Sequence, residues 1–234
     1  MDTTFFVKAL GIAFSGVPIA LFVAAIALII AIPLGFIFAL LRLQRVPVLY
    51  QFVKIYVSFV RGTPIIIQIF ILYSSIPLLL TGIFERYNVP IEVYTIHPLW
   101  YAFIIFSFNT TAILAEVFRG ALQTVDEGQK EAGYAVGLTT FQVYRRIIIP
   151  QMLVAAMPNL CTATVNLIKA TSLGYAISLP EITLRTKVAA NVGYHYVEAY
   201  LAIFIVYLVV CLLVEYGFKI MERKLRRYEG GVIC

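Results

Sequence analysis

Long apolar runs separated by short charged segments organise this chain. Residues 9–41, 62–84, 93–115, 147–168 and 199–214 contain no Asp, Glu, Lys or Arg. A bilayer core of about 30 Å takes roughly 20 apolar residues as helix. Four runs reach that length, and the fifth does so by borrowing Tyr194 to Val197. The pattern predicts five transmembrane helices, over about 14–42, 55–81, 94–118, 147–169 and 194–219, in an all-α integral membrane protein. Residues 1–234 read as a single transmembrane domain whose longest non-membrane piece is a loop at about 120–146. The first run, 33 residues, corresponds to about 50 Å of helix, so it must tilt, kink near Pro18 or Pro33, or lie partly at the surface. It is too long for the apolar core of a signal peptide and only Lys8 precedes it, so no cleavage is expected.

The central loop carries its own helix signals. Thr124-Val125-Asp126-Glu127 fits a capping box with Thr124 as N-cap, and Thr139-Thr140-Phe141-Gln142 fits a second. Between them a helix is expected to run to about Val136, with Gly137 placed for the left-handed conformation that ends helices. Arg145 and Arg146 mark the entry of the next span. The loop is therefore a short helix, a glycine turn and a new helix. Ala132, Gly133 and Ala135 give that helix a low profile. Two readings stand at this point: an ordinary amphipathic surface helix, or a surface that another protein approaches closely.

Composition agrees with the pattern. Only 13% of residues are charged, where a soluble domain has about 25%. An odd number of spans puts the termini on opposite sides. With the N-terminus outside, the inner segments hold 13 Lys and Arg against 5 outside, so the 120–146 loop and the C-terminus are expected in the cytoplasm. The net charge of +6 then reflects topology and gives no argument for nucleic acid. Cys161, Cys211 and Cys234 offer no disulfide framework. There is no metal-ligand cluster, nucleophile–base pair or catalytic motif, so the chain is not expected to be an enzyme.

Polar residues inside a span are costly unless they face protein or water. In the fourth span Asn159, Thr162, Asn166 and Lys169 fall on one helical face, followed by Thr171 and Ser172, while Gly174 and Pro180 argue against an unbroken helix. A polar stripe ending in broken backbone suits a solute pathway. Each threonine taken singly is better explained by hydrogen bonding between helices, and the pathway reading rests on the whole stripe. In the third span Asn109, Glu116 and Gln123 share a face, and Glu116 with Arg119 fits either the pathway or an i, i+3 ion pair. Arg61 and Gln68 share a face of the second span across Pro64, with Arg61 read as an entry residue and Gln68 as a pathway candidate. His97 and His195 fall at span edges and receive no role.

The loop also carries a family resemblance. Glu131-Ala132-Gly133, Gly137 after three residues, and Ile147 and Pro150 after nine more resemble the EAA motif of ABC importer permeases, with Gly133 in place of the third-position alanine and Ile149 in place of leucine. Arg61-Gly62-Thr63-Pro64 with Gln68, Asn109-Thr110 with Ala115-Glu116 and Arg119-Gly120, Gly128 to Glu131, Lys169 to Leu173 and Pro180-Glu181 are similar to the polar amino acid permeases. The resemblance implies a multi-pass subunit of a prokaryotic cell membrane, embedded in lipid. It also implies partners: a cytoplasmic ABC ATPase dimer, a second permease chain (identical or related) and an extracellular or periplasmic substrate-binding protein. Glu127, Lys130, Glu131, Ala132, Gly133 and Gly137 would then form the coupling helix that docks the ATPase. Gln68, Asn109, Glu116, Asn159, Thr162, Asn166, Lys169, Thr171 and Ser172 would line the pathway. ATP and Mg would belong to the partner, since this chain has no phosphate-binding G-x-x-x-x-G-K-[ST] loop, and no cofactor of its own is expected. Many relatives have Asp after the lysine, where this chain has Ala170, which points towards a neutral or zwitterionic substrate such as cystine or glutamine. The competing function is an ion-coupled secondary transporter or channel, which would have no use for a coupling helix.

Overall fold

The computed structural model describes residues 2–87 and 93–230. Nine α-helices follow one another among them: α1 (Thr3–Leu43), α2 (Leu49–Gly62), α3 (Ile65–Arg86), α4 (Pro98–Gln123), α5 (Glu127–Ala135), α6 (Thr140–Val143), α7 (Ile149–Ala170), α8 (Ile182–Ala190) and α9 (Tyr196–Gly230). Five helical stretches are long and apolar enough to cross a membrane: α1, α3, α4, the run Thr140–Ile177 that contains α7, and α9. This agrees with the all-helical, five-span expectation.

The first helix is longer than expected, 41 residues, and passes Pro18 and Pro33 without a break. Its buried positions are nearly all small: Ala9, Ala13, Gly16, Ala20, Ala24, Ala27, Ala31, Gly35 and Ala39. Its large side chains, including Phe14, Phe22, Ile29 and Ile37, are exposed. Small residues let helix backbones approach in a membrane, where packing rather than hydrophobicity drives association. A Cβ on Gly16 would lie 2.4 Å from the Ile182 backbone nitrogen, and one on Gly35 would lie 2.9 Å from Leu114 Cβ. Gly16 thus seats α8, and Gly35 seats α4.

At one end of the bundle the Asp2 backbone N–H donates to Glu198 Oε1 (2.8 Å), bringing together the starts of α1 and α9. At the other end, Arg42 meets Glu116 of α4. Helices α1, α4 and α9 therefore run one way, and α3 and α7 return. The α5–α6 segment caps the end where α4 finishes and α7 begins, and Leu138 and Val143 pack there with Phe118, Leu122 and Ile148.

Residues 55–81 do not form the single span that the apolar run suggests. The helix stops at Gly62, Thr63 is extended (φ −118°, ψ 143°), and Pro64 caps the start of α3. Proline disfavours helical geometry in the residue before it, which places the break here. Amphipathic α2 instead lies against α4, with the Tyr56 hydroxyl donating to the Phe108 carbonyl.

Candidate functional site

The break between α2 and α3 is held by one side chain. Gln68 Nε2 donates to the Val60 carbonyl (2.7 Å), the Thr63 carbonyl (3.0 Å) and Thr63 Oγ1 (2.8 Å). Its Oε1 accepts from Asn109 Nδ2 at 2.9 Å. Carbonyls freed by a broken helix need new partners inside a membrane, and this amide supplies them. Gln68 is buried, so it shapes the wall from behind rather than lining the pathway as expected.

In front of the break is a cavity of about 360 Å³ lined by Arg61, Thr63, Asn109, Thr110, Asn166 and Ala170, together with apolar residues. Asn109 reaches it from the middle of α4, and Asn166 from the exposed face of α7. A second cleft of about 330 Å³ opens on the other side of Asn166, lined by Cys161, Thr162, Asn166 and Lys169 of α7 and by Glu215 and Lys219 of α9. Asn159, Thr162, Asn166 and Lys169 are all exposed along one face, as their spacing predicts. Thr162 Oγ1 also donates to the Pro158 carbonyl, so it is satisfied within its own helix.

Thr171 departs from the expected set. It is fully buried and donates to the Ile168 carbonyl at 2.7 Å, facing the core and not the cleft. The helix ends at Ala170, and a 3₁₀ turn over Thr171–Ile177, half-burying Ser172, leads to Ser178 in the left-handed region (φ 58°). The expected break in the backbone is therefore present.

Glu116 lies towards the α5 end, below Asn109. Its two oxygens accept from Arg42 Nη1 (2.9 Å each) and from Arg119 Nε (2.7 and 3.1 Å). Arg61 Nη1 stands further off, at 3.9 Å. The i, i+3 pair with Arg119 is thus real but is one part of a cluster that ties α1, α2 and α4 together. The same face ends at Gln123, which accepts from Arg119 Nη1 at 2.8 Å.

The α5 segment differs in detail from expectation. Helix α4 continues through Gln123, so Thr124 becomes its C-cap, with Oγ1 donating to the Ala121 carbonyl. Asp126 takes over as N-cap of α5, accepting from the Gly128 N–H at 2.7 Å. Thr139 does form the second capping box, with Gln142. Gly137 has φ +79°, and the bonds Gly137 N–H to Tyr134 O and Leu138 N–H to Gly133 O complete a Schellman turn. Gly133 faces inward: an added Cβ would meet Val143 Cγ2 at 2.9 Å and Ile147 Cδ1 at 3.0 Å. Its small size serves packing inside this chain, so the low-profile outer surface belongs to Ala132 and Ala135. Glu127, Glu131, Ala132, Ala135, Val136 and Gly137 are exposed, and Lys130 is half-buried, 3.8 Å from Glu127.

Sequence reasoning overlooked Arg42, Glu215 and Lys219. Arg42 closes an apolar run, while Glu215 and Lys219 sit one helical turn apart just past the last such run. Glu215 and Lys219 fall inside the expected fifth span, 194–219, at i, i+4 spacing, so the signal was present in the sequence.

Residues 31–227 match the family described as binding-protein-dependent transport system inner membrane component. The chain belongs to this family of ABC importer permeases. The permease is 37% identical over 227 residues to the probable amino-acid permease protein YxeN of Bacillus subtilis (strain 168), covering 97% of each chain. It is 33% identical over 216 residues to the L-cystine transport system permease protein TcyL of the same organism, covering 92% of this chain and 88% of that one. Its fold is that of a chain in the crystal structure of an amino acid ABC transporter with histidines, with a TM-score of 0.78, 24% identity, and coverage of 96% of this permease and 99% of that chain.

Proposed function

We propose that this permease is the transmembrane subunit of an ATP-driven importer for a neutral or zwitterionic polar amino acid, with cystine and glutamine the leading candidates. The observation that carries the reading is the cavity at the α2–α3 break, in which polar residues of α2, α4 and α7 converge within the span. Relatives described as amino-acid and L-cystine permeases support the substrate class. Ala170 lines this cavity. The position where many relatives carry aspartate thus offers no attraction to a cationic side chain.

In this reading the exposed face of α5 docks a cytoplasmic ATPase dimer in a prokaryotic cell membrane, with the N-terminus outside. A second permease chain completes the pathway and an external binding protein delivers the substrate. Conformational work passes from α5 along α4, which carries both Glu116 and Asn109. The test is reconstitution in liposomes with a candidate ATPase and binding protein. Uptake that requires ATP supports the proposal; uptake that ignores ATP and follows a proton or sodium gradient would sink it.

A further inference from the structure

Within that proposed function, we propose that Arg61 is the carboxylate-binding residue of the pathway. A carboxylate offers about four lone-pair positions. Arg42 and Arg119 already make four contacts of 2.7–3.1 Å to Glu116, which leaves Arg61 at 3.9 Å without a short one. Among the described residues Arg61 makes no hydrogen bond, and its side chain is 55% exposed.

The cavity it lines has no acidic side chain. Nearby, three guanidinium groups face the single carboxylate of Glu116, so the surroundings carry excess positive charge. Arg61 has only the long 3.9 Å approach to Glu116, so an incoming anion gives it the short charged hydrogen bonds it lacks. Arg presents a planar fork of donors that matches a carboxylate with two parallel bonds. Opposite it, Asn166 and the side-chain carbonyl of Asn109, whose N–H is taken by Gln68, offer neutral acceptors for an ammonium group. The ligand that fits is a free α-amino acid with an uncharged side chain, held by its carboxylate at Arg61. Glu116, saturated by arginines, is not available to bind its ammonium end.

The test uses the purified complex of permease and ATPase in lipid nanodiscs, without binding protein, so that affinity reports the membrane subunit alone. A panel of L-amino acids including cystine and glutamine is titrated at up to millimolar concentration. The best ligand is then compared with its α-carboxamide. The amide is expected to bind at least about tenfold more weakly to the wild type, the scale of a charged hydrogen bond. Arg61→Gln is expected to lose a similar factor, with Arg61→Lys intermediate. Equal binding of acid and amide by the wild type would overturn the inference, and this comparison stands even if Arg61→Gln fails to assemble. Unchanged affinity in an assembled Arg61→Gln complex would overturn it too. So would absence of binding in a wild-type complex that still imports the amino acid with its binding protein. Absence of both binding and ATP-dependent uptake would instead remove the importer reading on which the inference rests.

Discussion

Arg42 Nη1 lies 2.9 Å from each oxygen of Glu116, joining the last turn of α1 to α4. Arg119 occupies the remaining positions from within α4. Both partners are largely buried, with Arg42 17% and Glu116 15% exposed. Removing the carboxylate leaves guanidinium groups facing one another without compensation. Glu116→Ala is expected to destabilise the permease by about 3–5 kcal/mol, the scale for breaking a buried ion pair. Glu116→Gln, which still accepts hydrogen bonds, should cost less, and Arg42→Met combined with Glu116→Ala should recover part of the loss. Thermal denaturation in detergent of the wild type, Arg42→Met, Glu116→Ala and the double variant measures the coupling; strictly additive effects would show that the pair is not the unit.

Gly16 tests the seam between α1 and α8. Its missing Cβ would overlap the backbone of Glu181 and Ile182, which has no rotamer by which to yield. Gly16→Val should therefore lower stability by about 1–3 kcal/mol or more. Gly11, with nothing within 4 Å of an added Cβ, is the matched control. Its Gly11→Val variant should change the melting temperature far less.

Variants on α5 separate the proposed docking role from folding. Glu131→Lys reverses an exposed charge and is expected to reduce co-purification of the ATPase by roughly tenfold, equivalent to about 1.4 kcal/mol. Gly137→Glu should do the same, because φ +79° strains any side chain and opens the Schellman turn. Gly133→Ala presses on the buried, β-branched Val143 (2.9 Å) and on Ile147 (3.0 Å), so it should lower the melting temperature and serves as the control for losses that act through folding. Equal loss in all three would mean that the variants act through folding.

Glu181 gives the permease a pH signature. It lies outside the spanning helices, is fully buried, caps α8 through the N–H groups of Thr183 and Leu184, and accepts from the Tyr207 hydroxyl at 2.8 Å. Burial pushes its carboxyl up to about 7 despite those hydrogen bonds. A carboxyl raised on folding contributes stability that is present at low pH and is lost as pH rises through the folded value. Between about pH 5 and 7, melting temperature should therefore fall with rising pH, by about 2–4 °C for each kcal/mol lost. Glu181→Gln should flatten that dependence; an unchanged slope would assign it to other groups.

The spans were legible because charge-free runs of sufficient length admit few other readings. What lay hidden followed from side-chain size and from competition between signals. In α1, Ala and Gly face the core while Phe, Ile and Leu face outward, and both classes are apolar, so the buried face leaves no periodic trace. Thr124 and Asp126 both match helix starts, and only the extension of α4 through Gln123 decides between them. Asn159, Asn166 and Lys169 were readable from helical spacing, whereas Thr171, two residues past Lys169 and about 200° round the helix, falls on the buried face. Gln68 was noticed for its polarity, but its partners come from residues 60, 63 and 109, and such contacts are invisible along one strand of sequence.

That glutamine has a consequence for the wall of the cavity. The carbonyls of Val60 and Thr63 are answered by its amide rather than by solvent, so the kinked wall needs no water molecule to complete it. The rear of the cavity is therefore closed by hydrogen bonds between protein groups.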